Sequence, residues 1–135
     1  FDIVVELMAT NPLKKAHHID GAIETLIHSG ASYCVAVKRL YDHHPARIKY
    51  LDERGIMQDF FPEVLESRRQ DLSPEAYIRA GSIYCMYTDQ IKKSSSRYDK
   101  SNTVAYILPD TAVVNIDEPV DLILAEAMIR QSYEA

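Results

Sequence analysis

The sequence predicts an α/β domain: a core of largely parallel strands interrupted by an inserted antiparallel arm. Two kinds of observation predict it. Apolar, β-branched runs at 2–9, 33–40 and 81–87 read as buried strands. Apolar residues at helical spacing follow the first run and close the chain, so helices alternate with strands.

The elements follow in order. The first run is broken by Thr10-Asn11-Pro12, and Ile19, Ala22, Ile23, Leu26 and Ile27 then recur at helical spacing. A helix therefore starts near His18, and Gly30 suits its C-terminal end. The run 33–40 makes a second strand, and a strand–short helix–strand unit implies two parallel strands. Residues 48–52 and 55–60 read as a small hairpin around Glu53-Arg54-Gly55. The stretch 63–74 is polar and aperiodic; Ala76 to Arg79 then leads into a third core strand, Gly81 to Tyr87. A polar segment, 89–102, reads as a mobile loop after a short helical turn. Short strands are expected at 103–108 and 112–116, either side of the Pro109-Asp110 turn. Val120, Ile123, Leu124, Ala127 and Met128 give the last helix an apolar stripe, with Pro119 in its first turn. The 135 residues are read as a single domain, 1–135, with the arm at about 41–75; polar arms of this kind often pack against a second subunit.

Apolar residues make up 47% and charged residues 26%, a balance that can form a core, and the net charge of −5 argues against a nucleic-acid polymer as partner. A polyanionic ligand therefore needs a local cationic site or a metal. No apolar run reaches the roughly 18 residues of a membrane span, and no signal-peptide pattern is present. The two cysteines, Cys34 and Cys85, each sit inside an apolar run and read as buried free thiols in a reducing cytoplasm. The chain opens in mid-strand without an initiator Met, which reads as a truncated product or a fragment.

Four segments carry candidate chemistry. In Met8-Ala9-Thr10-Asn11-Pro12-Leu13-Lys14 a polar turn follows a strand, the place where open α/β sheets bind ligands; a helix cap by Thr10 or Asn11 is the plainer account. In Asp42-His43-His44-Pro45-Ala46-Arg47 the adjacent histidines invite a metal, but neighbours on an extended chain point apart. Glu66-Ser67-Arg68-Arg69-Gln70-Asp71, then Tyr77-Ile78-Arg79-Ala80-Gly81-Ser82-Ile83-Tyr84, concentrates guanidinium groups that bind carboxylate or phosphate in forked geometry. Arg69 and Arg79 are the candidates there; Arg68 reads as a solvated partner of Glu63, Glu66 or Asp71. Gly81 would let a ligand approach the backbone closely. In Asn115-Ile116-Asp117-Glu118-Pro119 acidic residues stand where a strand ends and a helix begins. They suit either Mg²⁺, which takes one or two carboxylates plus phosphate oxygens, or a helix cap.

Taken in order and spacing, these four segments resemble the acylneuraminate cytidylyltransferase (CMP-N-acetylneuraminate synthetase) family, over nearly the whole chain. The resemblance implies part of a Rossmann-like nucleotide-diphospho-sugar transferase fold with a mixed sheet, its arm opened by the His-His-Pro segment and used for homodimerisation. It implies transfer of CMP from CTP to an acidic nine-carbon sugar, with Mg²⁺. It assigns substrate binding to Thr10, Asn11, Arg47, Arg69, Arg79, Gly81 and Tyr84. Asp117 inherits the role of metal ligand and is the catalytic residue through that metal, with Asn115 a weaker ligand. Met8, Ala80 and Asn115 depart from the family's usual Gln, Asn and Asp. Two alternatives stay open: a non-catalytic remnant or dimerisation module, and a cytidylyltransferase for another acidic sugar such as legionaminic or pseudaminic acid.

The family's Arg-x-Gly-Ser-Lys type loop, which cradles the CTP phosphates, has no counterpart here, since Gly21, Gly30, Gly55 and Gly81 are isolated. The expectation is that sheet edges and apolar helix surface stand exposed. The prediction is that this 135-residue chain alone releases no pyrophosphate from CTP and an acidic sugar. A pyrophosphate-release assay checks it, and CTP-dependent release refutes it.

Overall fold

The computed structural model describes residues 1–62 and 68–134. In chain order the elements are β1 (Ile3–Leu7), α1 (Ala16–Ser29), β2 (Tyr33–Arg39), β3 (Lys49–Leu51), β4 (Met57–Asp59), β5 (Tyr77–Tyr87), α2 (Thr88–Lys93), β6 (Thr103–Ile107) and α3 (Pro119–Glu134). Short 3₁₀ turns occupy Pro45–Arg47, Arg69–Asp71 and Asp110–Ala112. Contacts divide the chain into two compact units, one formed by 1–38 and 79–135, the other by 39–78.

In the first unit the sheet order is β1-β5-β2-β6. β2 and β6 are parallel, with Tyr33 opposite Thr103 and Val37 opposite Ile107. β1 and β5 are antiparallel, with Ile3 opposite Tyr87 and Leu7 opposite Ile83. The architecture is α/β, with a mixed sheet. β1 and β2, joined by α1, are not neighbours: β5 lies between them, although it comes much later in the chain. Local pattern identifies each as a buried strand but carries no information about which strand is its neighbour.

Alternation along the strands builds two apolar layers. On one face Cys34, Ala36, Ile83 and Cys85 cluster with Ala22 and Leu26 of α1, and with Leu108 and Val113. On the other, Tyr33, Val35, Tyr84 and Met86 cluster, with Met8 and Tyr98 packed against them. Helix α1 lies close on β6: a Cβ at Gly21 would stand 2.7 Å from the Tyr106 hydroxyl. Gly30 closes α1 in the left-handed conformation, φ 71°, as its position suggested. Both thiols are free and buried. Burial pushes Cys34 up to about 12, with Cys85 nearby adding to it, and pushes Cys85 up to about 11.

The second unit contains the expected hairpin. β3 and β4 pair antiparallel, with Lys49 opposite Asp59 and Leu51 opposite Met57. Asp52 organises its turn by accepting from the Arg54 and Ile56 amides, each at 2.9 Å. The expected arm at 41–75 falls within this unit, and Glu63 to Ser67 of the polar stretch lie outside the described residues.

Two further expectations are corrected. Residues 112–116 form no strand; after the turn Asp110–Ala112 the chain runs extended, and the Ile116 amide donates to Thr10 O at 2.8 Å instead of to a ladder. The apolar stripe of α3 faces outward: Val120 is 62% and Ile123 67% exposed, whereas Ala125 is buried. The Asp121 carboxylate accepts from the Asp117 and Glu118 amides at 3.0 and 2.8 Å and caps the first turn. Periodicity reports that a helix has an apolar side; it does not report that this side meets the sheet.

Leu26 and Ile27 offer a test of the core. Leu26→Ala removes a fully buried side chain and is expected to cost about 2–5 kcal/mol, whereas Ile27→Ala, half exposed, costs below about 1 kcal/mol. Urea unfolding of both variants measures the contrast.

Candidate functional site

The turn after β1 is the centre of the first unit's polar cluster. β5 runs antiparallel to β1, so the end of β1 stands beside the start of β5. The Met8 amide donates to Ser82 O at 3.0 Å and extends the ladder by one bond. Asn11 is fully buried, and its Nδ2 donates to Ala80 O at 3.0 Å. Its Oδ1 and the Ser82 hydroxyl are buried with no partner among the described residues. Buried polar groups are ordinarily satisfied, so this cluster holds unspent hydrogen-bonding capacity.

Thr10 and Asn11 do not cap α1. The residue at the helix N-cap is Lys15, whose amide donates to His18 Nδ1 at 3.0 Å. This is one half of a capping box, with His18 in the place of the usual carboxylate or amide; the His18 amide donates to the Lys15 backbone carbonyl at 3.0 Å. Lys14, which sequence reasoning passed over, pins the turn: its Nζ donates to Met8 O at 2.7 Å and to Asn11 O at 2.5 Å. Burial lowers the Lys14 pKa below its ordinary value. The lysine was visible in the Pro-Leu-Lys segment, but only the folded turn brings two carbonyls within its reach.

Gly81 and Asn115 meet at this turn. Gly81 has φ 58°, a conformation that L side chains rarely adopt, and a Cβ there would approach Asn115 Oδ1 to 3.3 Å. The Thr10 hydroxyl donates to Asn115 Oδ1 at 3.4 Å, and Asn115 Nδ2 donates to Asp117 Oδ2 at 2.8 Å. Thr10, Asn11, Gly81, Asn115 and Asp117, more than 100 residues apart at the extremes, therefore form one patch. The family-departing residues Met8, Ala80 and Asn115 all take part in it. The helix caps are resolved as well: Asp121 accepts the Asp117 and Glu118 amides, so the Asp117 carboxylate is not used for capping.

The donor set bears on metal binding. The Asn115 amide oxygen and the exposed Asp117 carboxylate are hard oxygen donors, of the kind Mg²⁺ takes when phosphate oxygens complete its shell. Among the described residues no three His, Cys, Asp or Glu side chains converge to hold a metal by themselves. The residues thus fit an ion brought largely by its phosphate ligand. His44 has both ring nitrogens engaged, Nδ1 by the Ala46 amide at 3.2 Å and Nε2 by Pro74 O at 2.8 Å.

The arginines divide between the units. Arg79, exposed on β5, lies with its guanidinium 4.9 Å from the Tyr98 ring centroid. Tyr84 is buried in the second apolar layer, with the Arg97 guanidinium 5.6 Å from its ring. Arg97 also binds Glu6 through two nitrogens, at 2.8 and 2.7 Å, and this contact raises its pKa. Arg97 was not singled out from the sequence because Glu6 lies 91 residues away. In the second unit, Arg68 pairs with Asp71 at 2.9 Å, one of the partners expected for it; Glu63 and Glu66 lie outside the described residues. Arg69 pairs with Asp42 at 2.7 Å, and Arg47 ends the turn Pro45–Arg47.

No family model matches the sequence. Among curated proteins, an N-acylneuraminate cytidylyltransferase B from Danio rerio is 26% identical over 128 residues, 95% of this chain and 30% of that protein. Pseudaminic acid cytidylyltransferases from two strains of Campylobacter jejuni subsp. jejuni are each 27% identical over 135 residues, all of this chain and 57% of theirs. The chain thus spans between about a third and somewhat over half of the length of these relatives.

The separation of cap from candidate ligand is testable. Asp121→Ala is expected to cost about 1 kcal/mol through loss of the cap, while Asp117→Ala changes stability by less than about 0.5 kcal/mol. Thermal or urea unfolding of the two variants measures the difference.

Proposed function

We propose, from this chain's kinship with the CMP-sialic acid synthetases, that it forms the sugar-binding and metal-ligand portion of a cytidylyltransferase. The substrates are CTP and an acidic nine-carbon sugar of the sialic or pseudaminic acid class. The observation that carries this reading is the patch at the carboxyl end of β1. There Thr10, Asn11, Gly81, Asn115 and Asp117 meet, where a strand end and an exposed carboxylate come together.

In the proposed reaction the anomeric hydroxyl of the sugar attacks the α-phosphate of CTP. The new oxygen–phosphorus bond replaces the one to pyrophosphate, which leaves, and the hydroxyl proton is lost. The protein's part is positioning and charge neutralisation. Asp117, with Asn115 beside it, would hold Mg²⁺, which offsets phosphate charge and lowers the pKa of a bound hydroxyl. Thr10 presents its hydroxyl at the turn, while the buried Asn11 and the left-handed Gly81, packed against Asn115, hold the turn in place. Arg79 in the first unit and Arg47 and Arg69 in the second supply cationic groups for carboxylate and phosphate oxygens. The second unit, with its hairpin, is proposed as the homodimerisation arm. No helix among the described residues is long and apolar enough to cross a membrane; a cytoplasmic place, where CTP is available, accords with the proposed chemistry.

Calorimetric titration of the chain with N-acetylneuraminate, pseudaminate and the neutral N-acetylmannosamine tests this. The acids are expected to bind in preference to the neutral sugar, and Arg69→Ala to weaken the acids about tenfold through loss of one charge-assisted contact. Equal binding of the neutral sugar would sink the assignment.

A further inference from the structure

The second unit has an open cleft of about 420 Å³ lined in part by Arg39, Tyr41, His44, Arg69, Gln70 and Glu75. Arg39 ends β2, and Arg69 begins the 3₁₀ turn thirty residues on. Both reach one aromatic ring. The Arg39 guanidinium lies 5.4 Å and that of Arg69 5.5 Å from the Tyr41 ring centroid. Two cations near one ring draw on the same quadrupole, and a nearby anion offsets their mutual repulsion.

Each has one. Arg39 Nη2 contacts Glu75 Oε1 at 2.5 Å, and Arg69 Nη1 contacts Asp42 Oδ1 at 2.7 Å. Each guanidinium carries five N–H donors, more than one carboxylate can engage. The four side chains are between 43% and 69% exposed, so the pairs contribute little to stability and yield readily to a competing anion. Glu75 keeps a partner if Arg39 leaves it, because the Tyr77 hydroxyl donates to its other oxygen at 2.7 Å. His44 takes no share, since both ring nitrogens are already committed.

We propose that Arg39 and Arg69 form a two-armed clamp on the carboxylate of the acidic sugar, with Tyr41 as their common platform. Glu75 is the resident anion that the ligand displaces from Arg39. This rests on the function proposed above and adds to it a specificity-determining residue, Arg39, together with a built-in competitor. Planar guanidinium groups meet a carboxylate in forked geometry, and a platform that fixes their planes lowers the entropy lost on binding.

The test is calorimetric titration of the full chain with N-acetylneuraminate and with its methyl ester. Arg39→Ala is expected to weaken the acid about tenfold or more and to bind acid and ester alike. Arg39→Lys keeps the charge but not the fork, and is expected to weaken the acid several-fold. Glu75→Gln removes the competitor and is expected to tighten the acid several-fold; a purely structural ion pair predicts weaker binding instead. Circular dichroism of each variant confirms folding. If the unaltered chain binds acid and ester equally, the carboxylate reading of the whole site fails. If the unaltered chain prefers the acid but Arg39→Ala keeps that preference, or Glu75→Gln weakens binding, the clamp alone is overturned.

Discussion

The first unit turns on one buried hydrogen bond, from Asn11 Nδ2 to the carbonyl of Ala80. An amide side chain with no solvent access costs several kcal/mol unless satisfied, so this bond fixes where the turn after β1 can lie. Once the turn is fixed, Thr10 O accepts the Ile116 amide and the Thr10 hydroxyl reaches Asn115. The segment leading into α3 is thereby laid against the opening of β5. Lys14 ties the same turn from the other side through two carbonyls. The left-handed Gly81 completes the arrangement, since a side chain there would press on Asn115.

At the head of α3 the Asp121 carboxylate takes the amides of Asp117 and Glu118, while Val120 and Ile123 stand exposed and Ala125 is buried. This cap is local to the first turn. It also leaves Asp117 with an exposed carboxylate beside Asn115, the arrangement from which metal-assisted phosphate chemistry is proposed.

In the second unit the chemistry is cationic. Arg39 and Arg69 share Tyr41 and are each held by one acid, in a cleft of a size suited to a small ligand. Each unit by itself holds one kind of group: the first has hard oxygen donors at Asn115 and Asp117, and the second has guanidinium groups at Arg39 and Arg69. The proposed reaction class comes from the similarity to the proteins from Danio rerio and Campylobacter jejuni, and the residues on this chain are chemically compatible with it.

Much was legible in the sequence. The runs at β1, β2 and β5, the helix over Ala22 and Leu26 and the hairpin around Gly55 were readable because period and turn chemistry are local. The resemblance could also mark Asn11, Gly81 and Asp117 as residues of interest. Tertiary structure alone decided that β5 inserts between β1 and β2, that Asp121 rather than Asp117 accepts the amides at the head of α3, and that Lys14 pins a turn. It likewise brought Arg39 and Arg69 to one ring and Arg97 to Glu6. The reason is common to all of these. They are contacts between residues distant in the chain or choices among equivalent local conformations, and their energies exist only after strand order and helix rotation are set.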